Sequence, residues 1–385
     1  MTENTNSTVI AGGPEDFLTV RHLTLRGDQL SIGRALAEEA RTRAGWAPSA
    51  IDPVLNRARW AWFERNWPQH FGRLSGIAAA YGIDPERDDV CLDGLSGLPA
   101  GSGCSAAWCP PSADGPGLLG RNYDFFTLGA GQLGAVLAGD QSAAVPAVDG
   151  ELPMAARPYV LTTVPDDGLA STVLTMAELD GCMEGINEAG LSVALLLADV
   201  ENTANAGMPE AAVPQAGLNT IQLPRFLLDT CENVAQAKQA LLGAKQYDFG
   251  VPLHYIIADA AGDAFVWERG AHDSEHIVEV ADGPLCVTNH PLHLHPDVDA
   301  LPADNANTFR TYERLATITK EVSGAPGSDT LLRDALDRVA VQPAAEPWRT
   351  LWRTVFDLGA RTMSTRFYLG DEAGYTGELV FGTGR

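Results

Sequence analysis

Basic residues are scarce in this chain, and their scarcity excludes two classes of partner. The 385 residues include 26 Lys and Arg against 50 Asp and Glu, which gives a formal charge of −24. Nucleic acids and anionic membrane surfaces carry negative charge and repel such a protein. We therefore expect neither nucleic acid nor membrane as a partner.

Long hydrophobic runs are also missing. The first 30 residues lack the basic start and the unbroken apolar stretch of a secretory signal. The longest apolar run, near Leu191 to Ala198, is shorter than the about 18 residues that a membrane-spanning helix needs. We expect a cytoplasmic protein with a sizeable core, because 45% of the residues are hydrophobic.

Paired cysteine motifs are absent as well. No CxxC pair occurs, and this spacing favours reduced thiols over a disulfide framework or a zinc site. The six cysteines are Cys91, Cys104, Cys109, Cys182, Cys231 and Cys286.

Helical and strand-like patterns divide the chain into regions. Residues 1–13 predict a mobile tail, whereas the apolar spacing from Gly27 to about Tyr81 predicts two helices. Small residues, prolines and two cysteines from Leu95 to Gly117 predict turns. Short strand-like runs follow, interrupted by helices at about 219–243 and 304–340. This order favours layered sheets with helices outside over alternating βαβ units.

Cys104 lies where the helical region meets the strand-rich body, directly after a flexible run that ends in Gly103. A thiolate beside an unhindered glycine can attack the carbonyl of its own upstream peptide bond. Cleavage between Gly103 and Cys104 would free an α-amino group with an ordinary pKa of about 7.7 to 8.0, suited to a general base. The alternative interpretation is a small buried hydrophobic residue in a loop.

Arg121 and Asp124 follow about 20 residues later, three residues apart and beside a glycine. A guanidinium near the thiol favours the thiolate, and a carboxylate can hold an α-amine by charge-assisted hydrogen bonds. The alternative is a surface ion pair at the end of a strand.

Three further positions are candidates on weaker grounds. Asn187 belongs to a Gly-x-Asn-Glu-x-Gly-Leu segment typical of a hairpin turn, and a structural role is favoured there. Asn289 ends a strand and can offer its amide to an oxyanion. Arg310, on a predicted helix, can brace such a site.

The order of these motifs resembles that of the cysteine N-terminal nucleophile (Ntn) hydrolases over about residues 70 to 370. The long segment before the cysteine is similar to that of the isopenicillin-N acyltransferase-like group, and the body is similar to bile-salt hydrolases and penicillin V acylases. The resemblance implies an α+β fold, a four-layer αββα sandwich. It also implies a helical leader over residues 1–103, which becomes a small subunit after self-cleavage and stays associated with a catalytic body over residues 104–385.

The resemblance also implies roles for individual residues. Cys104 is the implied nucleophile, with its own α-amine as base. Arg121 and Asp124 set its protonation and position, Asn289 contributes to the oxyanion hole, and Arg310 supports the site. One departure concerns the strand after the Asn187 turn. Relatives have an Asn or Tyr oxyanion contributor there, whereas this chain has leucines and only a backbone N–H could act. The leucines of that strand are Leu195, Leu196 and Leu197. The residues expected to contact the substrate are Asn187, Tyr123 and Phe125.

Two other patterns point to different chemistry. Residues 128–134 match GxGxxG, with Asp149 and Glu151 about 20 residues on, but Gly139 and Pro146 leave room for a short helix at most. The histidines His290, His293 and His295, with Asp297 and Asp299, have no tight ligand spacing and predict a solvated loop. We expect no metal and no cofactor.

The sequence therefore predicts an amidase that cleaves a linear, non-peptide amide through a thioester acyl-enzyme. The alternatives are an acyl-CoA-dependent amine N-acyltransferase of the same fold and an inactive relative that binds a small molecule. Hydrolysis is favoured because an acidic chain with only three lysines offers little general attraction for a phosphate-rich donor. Whether the protein forms a homo-oligomer is left open.

Overall fold

Two large β-sheets dominate the computed structural model, which describes residues 6–84, 87–93, 103–113, 115–137, 152–176, 179–198, 215–247, 252–269, 274–324, 328–341 and 347–384. The strands are β1 (Asn6–Ala11), β2 (Val20–Gly27), β3 (Ser49–Ala50), β4 (Val90–Cys91), β5 (Cys104–Cys109), β6 (Leu118–Phe126), β7 (Tyr159–Pro165), β8 (Ser171–Thr175), β9 (Glu184–Asn187), β10 (Ser192–Leu197), β11 (Leu218–Asn219), β12 (Gln246–Tyr247), β13 (Leu253–Ala258), β14 (Ala264–Arg269), β15 (Glu275–Val278), β16 (Leu285–Val287), β17 (Trp348–Asp357), β18 (Thr362–Gly370), β19 (Gly374–Tyr375) and β20 (Leu379–Gly382).

Sixteen of these strands form a nine-stranded sheet of order β1-β2-β7-β8-β9-β10-β13-β14-β15 and a seven-stranded sheet of order β16-β5-β6-β17-β18-β19, with β20 beside β18. The other four form two short pairs, β3 with β4 and β11 with β12. Neighbouring strands in both sheets are antiparallel except β2 and β7, which are parallel. The two sheets contact each other between β5 and β10, β9 and β18, and β14 and β16.

The helices are α1 (Gln29–Ala44), α2 (Pro53–Asn66), α3 (Pro68–Tyr81), α4 (Ala130–Leu137), α5 (Leu223–Thr230), α6 (Val234–Gly243), α7 (Thr311–Val322) and α8 (Asp329–Val339). Asp28 and Asp52 begin α1 and α2, because their side chains accept backbone N–H groups of the first turn. Three helices therefore stand where two were expected. The extra break follows from Pro68, which disfavours helical backbone at the preceding Trp67.

Helices contact strands of both sheets. In the nine-stranded sheet, α1 contacts β2 and β7, α5 contacts β9 and β10, and α6 contacts β13. In the seven-stranded sheet, α7 contacts β5 and β16, and α8 contacts β5 and β6. The described helices include none that is long and apolar enough to cross a membrane.

The N-terminal region contributes strands as well as helices. The expected mobile tail is wrong for residues 6–11, because β1 pairs with β2 and β2 pairs with β7 from Arg21↔Tyr159 to Gly27↔Pro165. The segment before Cys104 is thus helical only in part, and it completes one edge of the nine-stranded sheet.

Within the described residues, the GxGxxG segment forms α4 (Ala130–Leu137), and the residues from 138 to 151 lie outside the part of the chain that the structure describes. Asp149 and Glu151 lie outside the described residues.

Candidate active site

Strands β5 and β6 bring Cys104 and Arg121 together. Cys104 opens β5, and the antiparallel register pairs Cys104 with Tyr123 and Ala106 with Arg121, so all four side chains point to one face. Arg121 Nη2 lies 3.6 Å from Cys104 Sγ, and both side chains are buried. This contact places a guanidinium where it stabilises a thiolate.

Glu184 holds Arg121 in this position, and sequence reasoning missed it. Arg121 Nη1 donates to Glu184 Oε2 on β9, and Nη2 donates to the Leu195 carbonyl oxygen at 2.6 Å. Neither side chain of the ion pair is exposed. An acidic residue in a strand with mainly apolar neighbours was the signal that could have indicated a buried counter-ion.

The environment of Cys104 favours the protonated thiol. Burial raises the pKa of Cys104 above its ordinary value, and Arg121 opposes this shift. The negative charge of Asp124 raises it further, whereas Arg314 lowers it. Burial is the largest of these effects, so the thiolate forms only as the pH rises.

The backbone of Cys104 is held on both sides. Its N–H donates to Asn289 Oδ1 at 2.5 Å, and its carbonyl oxygen accepts from Arg314 Nη1 at 2.5 Å. Arg314 Nη2 also donates to Asn289 Oδ1 at 2.8 Å, and Asn289 Nδ2 donates to the Leu197 carbonyl oxygen at 2.9 Å. Asn289 comes beside Cys104 because β16 pairs with β5, Val287 opposite Ala106.

The structure does not place Arg310 in this site, and this is the main correction to the expected set. Arg310 precedes α7 with a φ of 57°, its side chain is 61% exposed, and it pairs with Glu313. Arg314, one helical turn later and only 3% exposed, reaches Cys104 and Asn289 instead. Because α7 begins at Thr311, Arg310 lies just before the helix and is exposed, whereas Arg314 lies within the helix on its buried face.

Asp124 lies on the opposite face of β6 from Arg121. It accepts from Thr350 Oγ1 at 2.5 Å, and its Oδ2 lies 3.6 Å from Arg314 Nη1. Burial raises the pKa of Asp124 to about 6, although Arg314 and Thr350 oppose the shift. Within the described chain, Oδ2 has no hydrogen-bond donor. A buried carboxylate oxygen of this kind is suited to accept from a cation.

The expected substrate contacts divide into two kinds. Tyr123 stacks between Phe125, with ring centroids 5.7 Å apart, and Trp352, at 3.9 Å. These rings lie on the Cys104 face of the sheet and are buried. Asn187 has a structural contact instead. Its side-chain amide donates to the carbonyl oxygens of Leu228 and Cys231 and so stabilises a turn.

Gly103 lies against an aromatic ring. A Cβ at this position would approach Trp348 to 2.8 Å, which explains why glycine stands before Cys104. Residues 94–102, for which the sequence predicts turns, lie outside the described residues.

A family model for acyl-coenzyme A:6-aminopenicillanic acid acyl-transferase matches residues 112–372, about two thirds of the 385 residues. The chain belongs to this acyl-transferase family. The recognition as a cysteine Ntn hydrolase of the isopenicillin-N acyltransferase-like group is confirmed, and the family match shows an enzyme of the acyltransferase class. The matched region begins after Cys104. No curated protein matches the chain in sequence.

Several solved structures are similar to this family member. A mutant of the conjugated bile acid hydrolase from Clostridium perfringens is 14% identical, with a TM-score of 0.48, over 72% of this chain and 92% of that chain. The penicillin V acylase from Agrobacterium tumefaciens is 15% identical, with a TM-score of 0.46, over 69% and 83% of the two chains. The Caenorhabditis elegans ortholog of N-acylethanolamine-hydrolyzing acid amidase is 14% identical, with a TM-score of 0.42, over 66% and 93%.

Strand β10 contributes to the site of this acyl-transferase family member through backbone carbonyl oxygens. The leucines expected to leave only a backbone N–H instead present the carbonyls of Leu195 and Leu197, which accept from Arg121 and Asn289. A polar side chain on β10 is therefore unnecessary for holding Arg121 and Asn289.

One group of described residues has the donors of a metal site. Donor atoms of His70, Asp93 and Asp180 lie within 4.8 Å of one another, and all three residues are buried. Asp93 already accepts from Arg59 at 2.5 Å, however, and the positive charge of Arg73 also acts on His70. A divalent cation would add to these buried positive charges, so the donor set does not fit a metal well.

The histidine loop is not solvated in the manner expected. His290 is buried, with its Nδ1 3.0 Å from Thr311 Oγ1. His293 is half-buried, and its Nδ1 lies 2.8 Å from Glu268 Oε2.

Proposed function

We propose that the protein is a self-processing cysteine amidase of the acyl-transferase family. The observation that carries this proposal is the convergence of Arg121, Asn289 and Arg314 on Cys104. The substrate class is a linear, non-peptide amide. Cys104 Sγ bonds to the amide carbonyl carbon, the C–N bond breaks, and the leaving amine takes the proton that came from the thiol.

The α-amine of Cys104 acts as the general base in this mechanism. Water then adds to the thioester, the same amine takes a proton from the water, and the thiol returns as the carboxylic acid leaves. Asn289 offers its side-chain amide to the oxyanion, and Arg314 holds Asn289 in place.

The α-amine is produced by self-cleavage before Cys104. The thiolate attacks the Gly103 carbonyl carbon, the bond to the Cys104 nitrogen breaks, and water releases the Gly103 carboxyl group. The buried Asp124 Oδ2 then accepts from the new ammonium group, a role supported by its lack of a donor in the described, uncleaved chain.

The two pieces, residues 1–103 and 104–385, remain associated in this proposal. Support comes from β2, which pairs along seven residues with β7 of the larger piece. Further support comes from Asp229, which accepts from Trp67 Nε1 at 2.9 Å and from Arg73. The helix contacts with both sheets support a four-layer αββα arrangement of the assembled pieces.

A second candidate function is acyl transfer from coenzyme A to an amine, favoured by the family's description. The same thioester would form, and an amine in place of water would take the acyl group. We favour hydrolysis because the formal charge of −24 opposes binding of a phosphate-rich donor.

Intact mass and product analysis test the proposed function. We expect freshly purified protein to convert into pieces of 103 and 282 residues, since 385 − 103 = 282. A panel of N-acyl compounds should then yield free amine. New amide formed from acyl-CoA and an added amine would instead establish the transferase, and an uncut chain that releases no amine would establish a binding protein.

Self-cleavage is expected to accelerate with rising pH. Because burial raises the pKa of Cys104, the thiol is protonated at neutral pH and its thiolate fraction grows about tenfold per pH unit. The cleavage rate, followed by intact mass from pH 6 to 8, should rise in the same proportion. Cys104→Ala should stay uncut at every pH, which excludes a contaminating protease. A rate that is flat or falls over this range contradicts the assignment.

A further inference from the structure

A buried histidine and glutamate lie behind Asn289. His254 on β13 stands opposite Glu268 on β14, and their side chains are 0% and 1% exposed. His254 Nδ1 lies 2.9 Å from Glu268 Oε1, and His254 Nε2 lies 2.6 Å from the carbonyl oxygen of Thr288. The histidine therefore connects a buried carboxylate to the peptide that joins Thr288 to Asn289.

The hydrogen-bond partners of this histidine are both held in place. Glu268 accepts backbone N–H groups of Leu292 at 2.8 Å and His293 at 3.0 Å. Burial alone would raise the pKa of Glu268, but the bonds from His254, Leu292 and His293 lower it to about 2. A carboxylate and a carbonyl oxygen accept hydrogen bonds, so each ring nitrogen of His254 lies beside an acceptor.

The contact crosses from one sheet to the other. His254 and Glu268 belong to the nine-stranded sheet, whereas Thr288 and Asn289 follow β16 of the seven-stranded sheet. The bond to Thr288 thus anchors one sheet to the other at the point where Asn289 leaves its strand.

We propose that His254, held by Glu268, is a positioning residue that aims the side-chain amide of Asn289 at the reacting carbonyl. This inference rests on the proposed function, in which Asn289 contributes to the oxyanion hole. Asn289 also accepts from the Cys104 N–H, but the thiol itself contacts Arg121, and the Cys104 carbonyl oxygen accepts from Arg314. Loss of His254 should therefore weaken the oxyanion hole and leave the thiol unchanged.

Two reactions of the mature, self-cleaved enzyme separate these effects. Turnover of the N-acyl compound that the panel identifies depends on the oxyanion hole, whereas alkylation of Cys104 by iodoacetamide needs only the thiolate. We expect His254→Leu to lower kcat about 100-fold, with KM and the alkylation rate within about twofold of wild type. His254→Gln retains a hydrogen-bond donor for the Thr288 carbonyl oxygen. Its kcat should be at least about fivefold higher than that of His254→Leu.

His70→Gln is the matched control, because His70 is also fully buried and lies in α3, on the other side of the cleavage junction. It should keep kcat within about twofold. An unchanged kcat in His254→Leu overturns the proposal, as does an equal loss of turnover and alkylation, which indicates a collapsed site. If His254→Leu does not fold, the turnover and alkylation rates of His254→Gln test the proposal instead. Failure of the proposed function itself appears separately, as turnover that persists in Cys104→Ala.

Discussion

Replacement of Cys104 by alanine is expected to leave the protein as a single chain of 385 residues with no amidase activity. The substitution removes only the sulfur atom from a buried position at the start of β5, so the fold should remain. Without sulfur, neither the Gly103 carbonyl nor a substrate carbonyl can form the thioester. Intact mass reports the cleavage, and release of amine from an N-acyl compound reports the activity.

Cys109→Ala is the matched control for this experiment. Cys109 ends the same strand, is equally buried, and points to the opposite face. This variant should be cut and should turn over substrate at about the wild-type rate. Processing and turnover in Cys104→Ala would show that another group is the nucleophile.

Replacement of Arg314 by methionine is expected to lower kcat by about 10² to 10³, the usual cost of disturbing an oxyanion hole. Arg314 bonds the Cys104 carbonyl and Asn289 Oδ1, and it faces the carboxylate of Asp124 at 3.6 Å. Methionine fills a similar volume but makes none of these contacts. Steady-state kinetics of the mature enzyme measure the effect. The kcat of Arg314→Lys should lie between those of wild type and Arg314→Met, because lysine keeps the positive charge but loses the planar guanidinium group.

Arg310→Met is the control for this experiment, because Arg310 lies four residues before Arg314, at the start of the same helix. Its exposed ion pair with Glu313 contributes at most about 1 kcal/mol to stability. We expect kcat within about twofold of wild type for this variant. The reverse outcome, with a large loss for Arg310 and none for Arg314, would support the assignment made from the sequence and contradict the one made from the structure.

The family prediction came from the order of short motifs, and the match to the acyl-transferase family confirms it. Chemically distinctive residues can be recognised in a sequence without knowledge of their contacts. Cys104, Arg121 and Asn289 were selected in this way, and the structure brings all three together. Their catalytic roles stay predictions until the variants are measured.

Strand β5 shows where local pattern misleads. Its sequence of Ser, Ala and Cys residues next to prolines predicted turns, because small residues have little β propensity. The segment is nevertheless a fully buried strand between β16 and β6. Pairing on both sides supplies the stability that its side chains do not, and this pairing involves residues far away in the chain.

The residue types of the site, and their order along the chain, were determined by the sequence itself: a thiol after glycine, then an arginine, a carboxylate and an amide. Only the tertiary structure decided that Arg314 faces inward, that Glu184 neutralises Arg121, and that His254 supports the peptide before Asn289. These contacts depend on where a helix starts and on which strands meet across two sheets. Such geometry is set by packing of the whole chain, which no local pattern encodes.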